Sequence, residues 1–182
     1  DKIKIETDRL QAEWDAEEYA RNREAEYPTI AELTVGLMLT LLRNVFYSNT
    51  SMHQGKWNRQ MGRRLGDSTV GIIGAGRIGS LVLDMVSNFS PRKILVNDVK
   101  QNIELDNMYQ FDWTTKERIF KEADIISLHV PLATGASNMI TKEELLTMKK
   151  DAILINTSRG GVIDESDLID VMNQGHLASV AI

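Results

Sequence analysis

Five short apolar runs punctuate the second two-thirds of the chain: "TVGII" (69–73), "KILVN" (93–97), "DIISLHV" (124–130), "AILIN" (152–156) and "ASVAI" (178–182). Runs of this length, apolar at nearly every position, read as strands buried on both faces, the pattern of a parallel sheet. Between them the period lengthens. Ile78, Leu81, Val82, Met85 and Phe89 repeat at helical spacing and would share one helix face. Alternating strands and helices predict an α/β fold, a doubly wound parallel sheet with helices on both faces.

Helix starts carry their own signature. Thr29 with Glu32, Thr114 with Glu117 and Thr141 with Glu144 each match the spacing of a capping box, whose hydroxyl and carboxylate satisfy orphan backbone N–H groups. The first would open "IAELTVGLMLTLLRNVF", which is apolar almost all round. Such a helix must be covered on more than one side, and a second copy of the chain could supply the cover. No internal repeat and no low-complexity tract is present.

Charge divides the chain unevenly. Residues 1–28 hold nine acidic and five basic side chains, whereas 29–182 hold 17 and 16. The first segment therefore reads as a charged N-terminal arm or linker, with "IKI" a candidate edge strand, and the near-neutral remainder as the folded domain. No basic face points to nucleic acid. The longest apolar stretch, around Val35 to Leu39, falls far short of the roughly 20 residues that span a bilayer. No apolar leader opens the sequence. Cysteine is absent, which removes disulfides, thiolate zinc sites and thiol nucleophiles, and the expected setting is soluble, cytoplasmic and reducing. No pairing of carboxylates and histidines suggests a metal.

The first strand runs directly into "GIIGAGRIGS", where Gly74, Gly76 and Gly79 form G-x-G-x-x-G. In a strand–turn–helix context the first glycine allows the tight turn. The second lets a pyrophosphate approach the backbone, and the third lets the helix pack closely on the strand. About 20 residues after Gly79 the next strand ends at Asp98, where a carboxylate can accept the ribose hydroxyls of a dinucleotide. The fold expected is thus of Rossmann type and the cofactor NAD. A carboxylate at this position repels the extra phosphate of NADP. Lys100 is the nearest cation and lacks the fork with which arginine usually holds that phosphate.

The segments "GIIGAGRIGS", "ADIISLHVPL" and "NTSRGGVIDESDL" occur in the order and at the spacing of one family. From about Pro28 to Ile182 the chain resembles the NAD-binding domain of the D-isomer-specific 2-hydroxyacid dehydrogenases. The resemblance implies hydride transfer between NAD(H) and a small 2-hydroxy or 2-oxo acid, in a homodimer joined through this domain. It implies that Arg159 binds the substrate carboxylate, and that the backbone of Arg77 and Ile78 reaches the pyrophosphate. Val130 and Pro131 would line the adenine side, and Thr157 and Ser158 would lie near the nicotinamide ribose. His129 falls in the family's "H-V-P" and is expected to be a pocket-wall residue. His53 and His176 read as structural or exposed.

The chain also departs from the family. After "HVPL" the usual pattern is close to T-P-E-T, where this chain has Ala133, Thr134, Gly135 and Ala136. The family's catalytic glutamate and histidine are expected downstream of residue 182, together with most of the substrate domain. The 182 residues alone are therefore expected to bind cofactor without turnover, because no general acid is available to the alkoxide. The alternative in a different class is an NAD(H)-sensing corepressor-like binding module.

Overall fold

The computed structural model describes residues 26–132 and 138–182. Two helices come first, α1 (Glu26–Leu42) and α2 (Val45–His53), meeting at a 65° bend. There follow β1 (Thr69–Ile73), α3 (Arg77–Ser87), β2 (Lys93–Asn97), α4 (Ile103–Met108), β3 (Asp112–Trp113) and α5 (Lys116–Glu122). The chain then continues through β4 (Ile125–Leu128), α6 (Lys142–Thr147), β5 (Ile153–Asn156), α7 (Glu165–Asn173) and β6 (Ser179–Ala181).

All six strands are parallel in the order β3-β2-β1-β4-β5-β6, the doubly wound Rossmann arrangement. Alternation along each strand sends side chains to two separate cores. Val70, Ile72, Ile94, Val96, Ile125, Ile153 and Ile155 pack on one face with α1 and α3. Ile73, Leu95, Ile126, Leu128 and Leu154 pack on the other with α5, α6 and α7. Every residue of β1, β4 and β5 is buried, which explains why these strands read as unbroken apolar runs.

Three expectations about helices need correction. At residue 26 the helix containing Thr29 is already formed, so Thr29 does not cap it. Glu26, Ala31 and Glu32 are strong helix formers and carry the helix through this stretch. The cap of α5 is Thr115, which accepts from the Arg118 N–H at 3.3 Å. Thr114 is taken by the sheet: its N–H donates to the Val96 carbonyl and its carbonyl accepts from Asn97 Nδ2. Phe89 lies beyond the end of α3 and is 42% exposed, so the buried stripe of that helix is Val82, Leu83 and Val86. The box at Thr141 is present, with the Glu144 carboxylate accepting from the Thr141 N–H at 2.8 Å and its hydroxyl at 2.7 Å.

Helix α1 buries Ala31, Thr34, Val35, Met38 and Leu42 against the sheet and leaves Leu33 more than half exposed. Phe46, Tyr47 and Met52 on α2 are exposed as well. The candidate strand "IKI" and the rest of the arm before residue 26 lie outside the described residues, as does the departure at 133–136. No single helix among the described residues is long and apolar enough to cross a membrane.

Candidate cofactor and substrate site

Because every strand runs the same way, the segments that follow β1, β2, β4 and β5 all emerge at one edge of the sheet. β1 and β4 are neighbours there although their crossovers lead to opposite sides, the position where open α/β sheets form a ligand crevice.

The turn after β1 has the backbone that the glycines were expected to permit. Gly74 adopts φ +94°, and a β-carbon there would come within 2.5 Å of the His129 carbonyl oxygen. A β-carbon at Gly79 would collide with the carbonyl oxygen of Gly74. Gly76 is different. Nothing lies within 4 Å of where its β-carbon would be, and it opens α3 without any side-chain cap. The helix thus offers uncapped N–H groups to open space, the arrangement that accepts a phosphate, and the residues present fit the pyrophosphate of a dinucleotide.

Asp98 is tied to the same turn. Its Oδ2 accepts from the Ala75 N–H at 2.6 Å and its Oδ1 from the Lys100 N–H at 3.1 Å. Each carboxylate oxygen keeps a further lone pair for a ribose hydroxyl. The Arg77 side chain turns to α1, donating to the Tyr27 hydroxyl at 2.8 Å with its guanidinium 5.5 Å from the ring centroid. Ile78 is half-buried and packs on the core. Val130 is half-buried near Gly74, while Pro131 is exposed.

His129 follows β4, and period-two alternation puts it on the same side as Ser127. Its Nε2 lies 2.8 Å from the fully buried Ser127 hydroxyl. Burial pushes the imidazole down to about 4, so at neutral pH it is an uncharged wedge beneath the glycine turn.

The loop after β5 carries the other group of predicted residues. Arg159 is exposed, makes no ion pair among the described residues, and donates through Nη1 to the Ser158 carbonyl at 2.8 Å. It borders a cavity of about 430 Å³ lined by Thr157 and Ser158 on the polar side and by Ile30, Leu33 and Leu37 of α1 on the apolar side. The two hydroxyls have defined polarity. Thr34 donates to the Ile30 carbonyl at 2.8 Å, so in its 2.7 Å contact with Thr157 the Thr157 hydroxyl must be the donor. The Ser158 hydroxyl donates to Asn156 Oδ1 at 2.7 Å. Both therefore present only acceptor lone pairs to a ligand, which suits a sugar hydroxyl. Among the described residues no three His, Asp or Glu side chains form a cluster able to hold a metal ion.

The description "D-isomer specific 2-hydroxyacid dehydrogenase, NAD binding domain" belongs to the family model that matches residues 35–182. The chain belongs to this family. It is 35% identical over 153 residues to a hydroxypyruvate reductase from Thermotoga maritima, with 83% of this chain and 49% of that protein covered. A glyoxylate reductase from Thermofilum pendens is 32% identical over 84% of this chain and 47% of its own length. The fold matches the crystal structure of a D-lactate dehydrogenase from Aquifex aeolicus complexed with NAD and lactic acid. The TM-score is 0.79 and the identity 32%, over 83% of this chain and 46% of that one. The chain thus spans about half the length of these relatives, and it is an NAD-binding domain of this family.

The sequence motifs assign no role to Asn156, Thr34 or Tyr27. For Asn156 a local signal existed, since Asn two residues before Ser is the pattern of an Asx turn. Thr34 and Tyr27 lie 123 and 50 residues from their partners, and nothing local marks them.

Proposed function

We propose that the full-length protein is an NAD-dependent D-2-hydroxyacid dehydrogenase and that this domain contributes both its cofactor cradle and its substrate-anchoring arginine. One observation carries the reading: Arg159 stands exposed, in no ion pair among the described residues, on the same sheet edge as the uncapped, open glycine turn. Bound NAD(H) supplies the hydride carrier. Asp98 would hold the adenosine ribose, and Gly74, Gly76, Arg77, Ile78 and Gly79 the pyrophosphate. Val130 and Pro131 would flank the adenine, and the acceptor-only hydroxyls of Thr157 and Ser158 the nicotinamide ribose.

Arg159 then does two things at once. Its planar fork forms two parallel charge-assisted bonds to a substrate carboxylate, and its charge draws electron density from the adjacent C2 carbonyl. Both favour arrival of the hydride at C2. The proton must come from elsewhere, because each of the three histidines is engaged away from Arg159. His53 contacts the Asn49 carbonyl, His129 the Ser127 hydroxyl and His176 the Met148 carbonyl. The substrate is a small 2-hydroxy or 2-oxo acid. The exposed apolar side of α1 and α2, with Leu33, Phe46 and Met52, supports a homodimer. A cytoplasmic enzyme with no nucleic-acid or membrane partner completes the proposal.

The decisive experiment is Arg159→Lys in the full-length protein. The charge stays and the bidentate fork is lost, so KM for the 2-oxo acid should rise and kcat fall by roughly tenfold or more, with NADH affinity nearly unchanged. Reduction at wild-type efficiency would make the arginine a strand-end residue and overturn the reading. The 182-residue chain alone should bind NADH and show no turnover.

A further inference from the structure

We propose that Asn156 is the positioning residue for Arg159, holding the loop at the end of β5 in the one shape that presents the guanidinium to substrate. This rests on the reading of Arg159 as the carboxylate anchor. The starting observation is what the loop lacks. Among the described residues the backbone N–H groups of Thr157, Arg159 and Gly160 reach no backbone carbonyl, so the sheet's own ladder does not hold this segment. The side chain of Asn156 replaces it.

Asn156 is the last residue of β5, and only 8% of it is exposed. Its Oδ1 accepts from the Ser158 N–H at 3.1 Å and from the Ser158 hydroxyl at 2.7 Å. Its Nδ2 donates to the Arg159 carbonyl at 2.9 Å. One carboxamide therefore closes a ring around residues 156–159, fixing both the residue before the arginine and the arginine's own backbone. A carboxamide suits this role because it donates and accepts from adjacent atoms without carrying charge. A carboxylate would face the Arg159 carbonyl with a second acceptor and would place a negative charge beside the guanidinium. Asn156 itself is buried, so a carboxamide atom that lost its partner would be left shielded from water. Among the described residues the other side-chain ties to the loop are the Thr157 hydroxyl bond to Thr34, which sits ahead of the arginine, and the bond of the Arg159 guanidinium itself to the Ser158 carbonyl; neither holds the Arg159 backbone.

An anchor of substrate must be placed to within a fraction of an ångström. Displacement of about 1 Å in a group that orients substrate costs up to roughly a hundredfold. Loosening the ring should therefore weaken substrate binding far more than cofactor binding, because among the cofactor contacts only the Thr157 and Ser158 hydroxyls sit on this loop, whereas the glycine turn after β1 and Asp98 share no bond with Asn156.

The test uses the full-length protein with Asn156→Ala, which removes all three bonds. Asn156→Asp keeps the acceptor for Ser158 but loses the donor to Arg159 and adds a charge beside the guanidinium, so it is compared with Asn156→Ala by loop cleavage and not by KM. Two measurements are made. The first needs no activity: native-state cleavage by trypsin after Arg159 should accelerate about tenfold in Asn156→Ala and less in Asn156→Asp, with cleavage at other sites unchanged. The second is kinetic: KM for the 2-oxo acid should rise about tenfold or more while the NADH dissociation constant stays within about threefold. In an Arg159→Lys background the added effect of Asn156→Ala on KM should largely vanish, because the asparagine acts through the arginine.

Unchanged cleavage after Arg159 overturns the proposal. So does a loss confined to kcat with thermal stability lowered and KM intact, the behaviour of a merely structural residue. If the wild-type protein reduced no 2-oxo acid, the functional reading would fall, and the role of Asn156 in holding the loop would be decided by the cleavage rates alone.

Discussion

Lowering the pH should weaken this fold in part through His129. Its imidazole is pushed down to about 4 by burial, from an ordinary value of 6.5. The neutral Ser127 hydroxyl, at 2.8 Å from Nε2, supplies no charge to offset that desolvation. Above about pH 6.5 the residue is neutral in both folded and unfolded chains and contributes no pH dependence. As pH falls, the unfolded chain takes up a proton that the folded chain refuses until about pH 4. Stability is therefore lost across that window. A displacement of about 2.5 units amounts to about 3 kcal/mol in full, of which about 2 kcal/mol is gone by pH 5. His129→Gln keeps a group able to meet Ser127 and cannot titrate. Urea unfolding of both proteins at several pH values between 7.5 and 4.5 should give curves that diverge by these amounts, with equal m-values. Taking the difference between the two cancels the carboxylates common to both. Parallel stability profiles, or an imidazole that titrates near 6.5 by NMR, would show that His129 is not enclosed beneath the glycine turn.

Gly79→Ala forces a β-carbon onto the Gly74 carbonyl, so it should abolish NADH binding by displacing α3 and destabilise the domain by about 1–3 kcal/mol, read by calorimetry and denaturation; retained affinity would mean that α3 can shift without cost. Asp98→Ala should narrow the preference for NADH over NADPH in titration calorimetry, and a wild-type preference for NADPH would remove the ribose role assigned to Asp98. Phe46→Lys, placed on the exposed apolar side of α2, should shift the protein toward monomer in sedimentation at micromolar concentration, whereas an unchanged dimer would place the contact elsewhere.

The sequence alone determined those features whose cause is local. Strands β1 and β2 have the bounds read from their apolar runs, and β4, β5 and β6 differ by one or two residues at their ends; in β1, β4 and β5 burial on both faces leaves a continuous apolar pattern. The glycine turn was legible for a similar reason, since φ above zero and close backbone approach demand one residue type. Other features depended on partners distant in the chain. β3 is only two residues long and exists through its pairing with β2, and that pairing also claims Thr114 and moves the cap of α5 to Thr115. Strand order decided that the glycine turn and Arg159 share one edge. Folding brought Thr34 to Thr157 and Tyr27 to Arg77, where side chains of no local distinction set the polarity of one hydroxyl and the direction of one guanidinium. The depressed imidazole of His129 likewise comes from enclosure under a turn formed by another strand, a desolvation that no pattern of neighbours in sequence encodes.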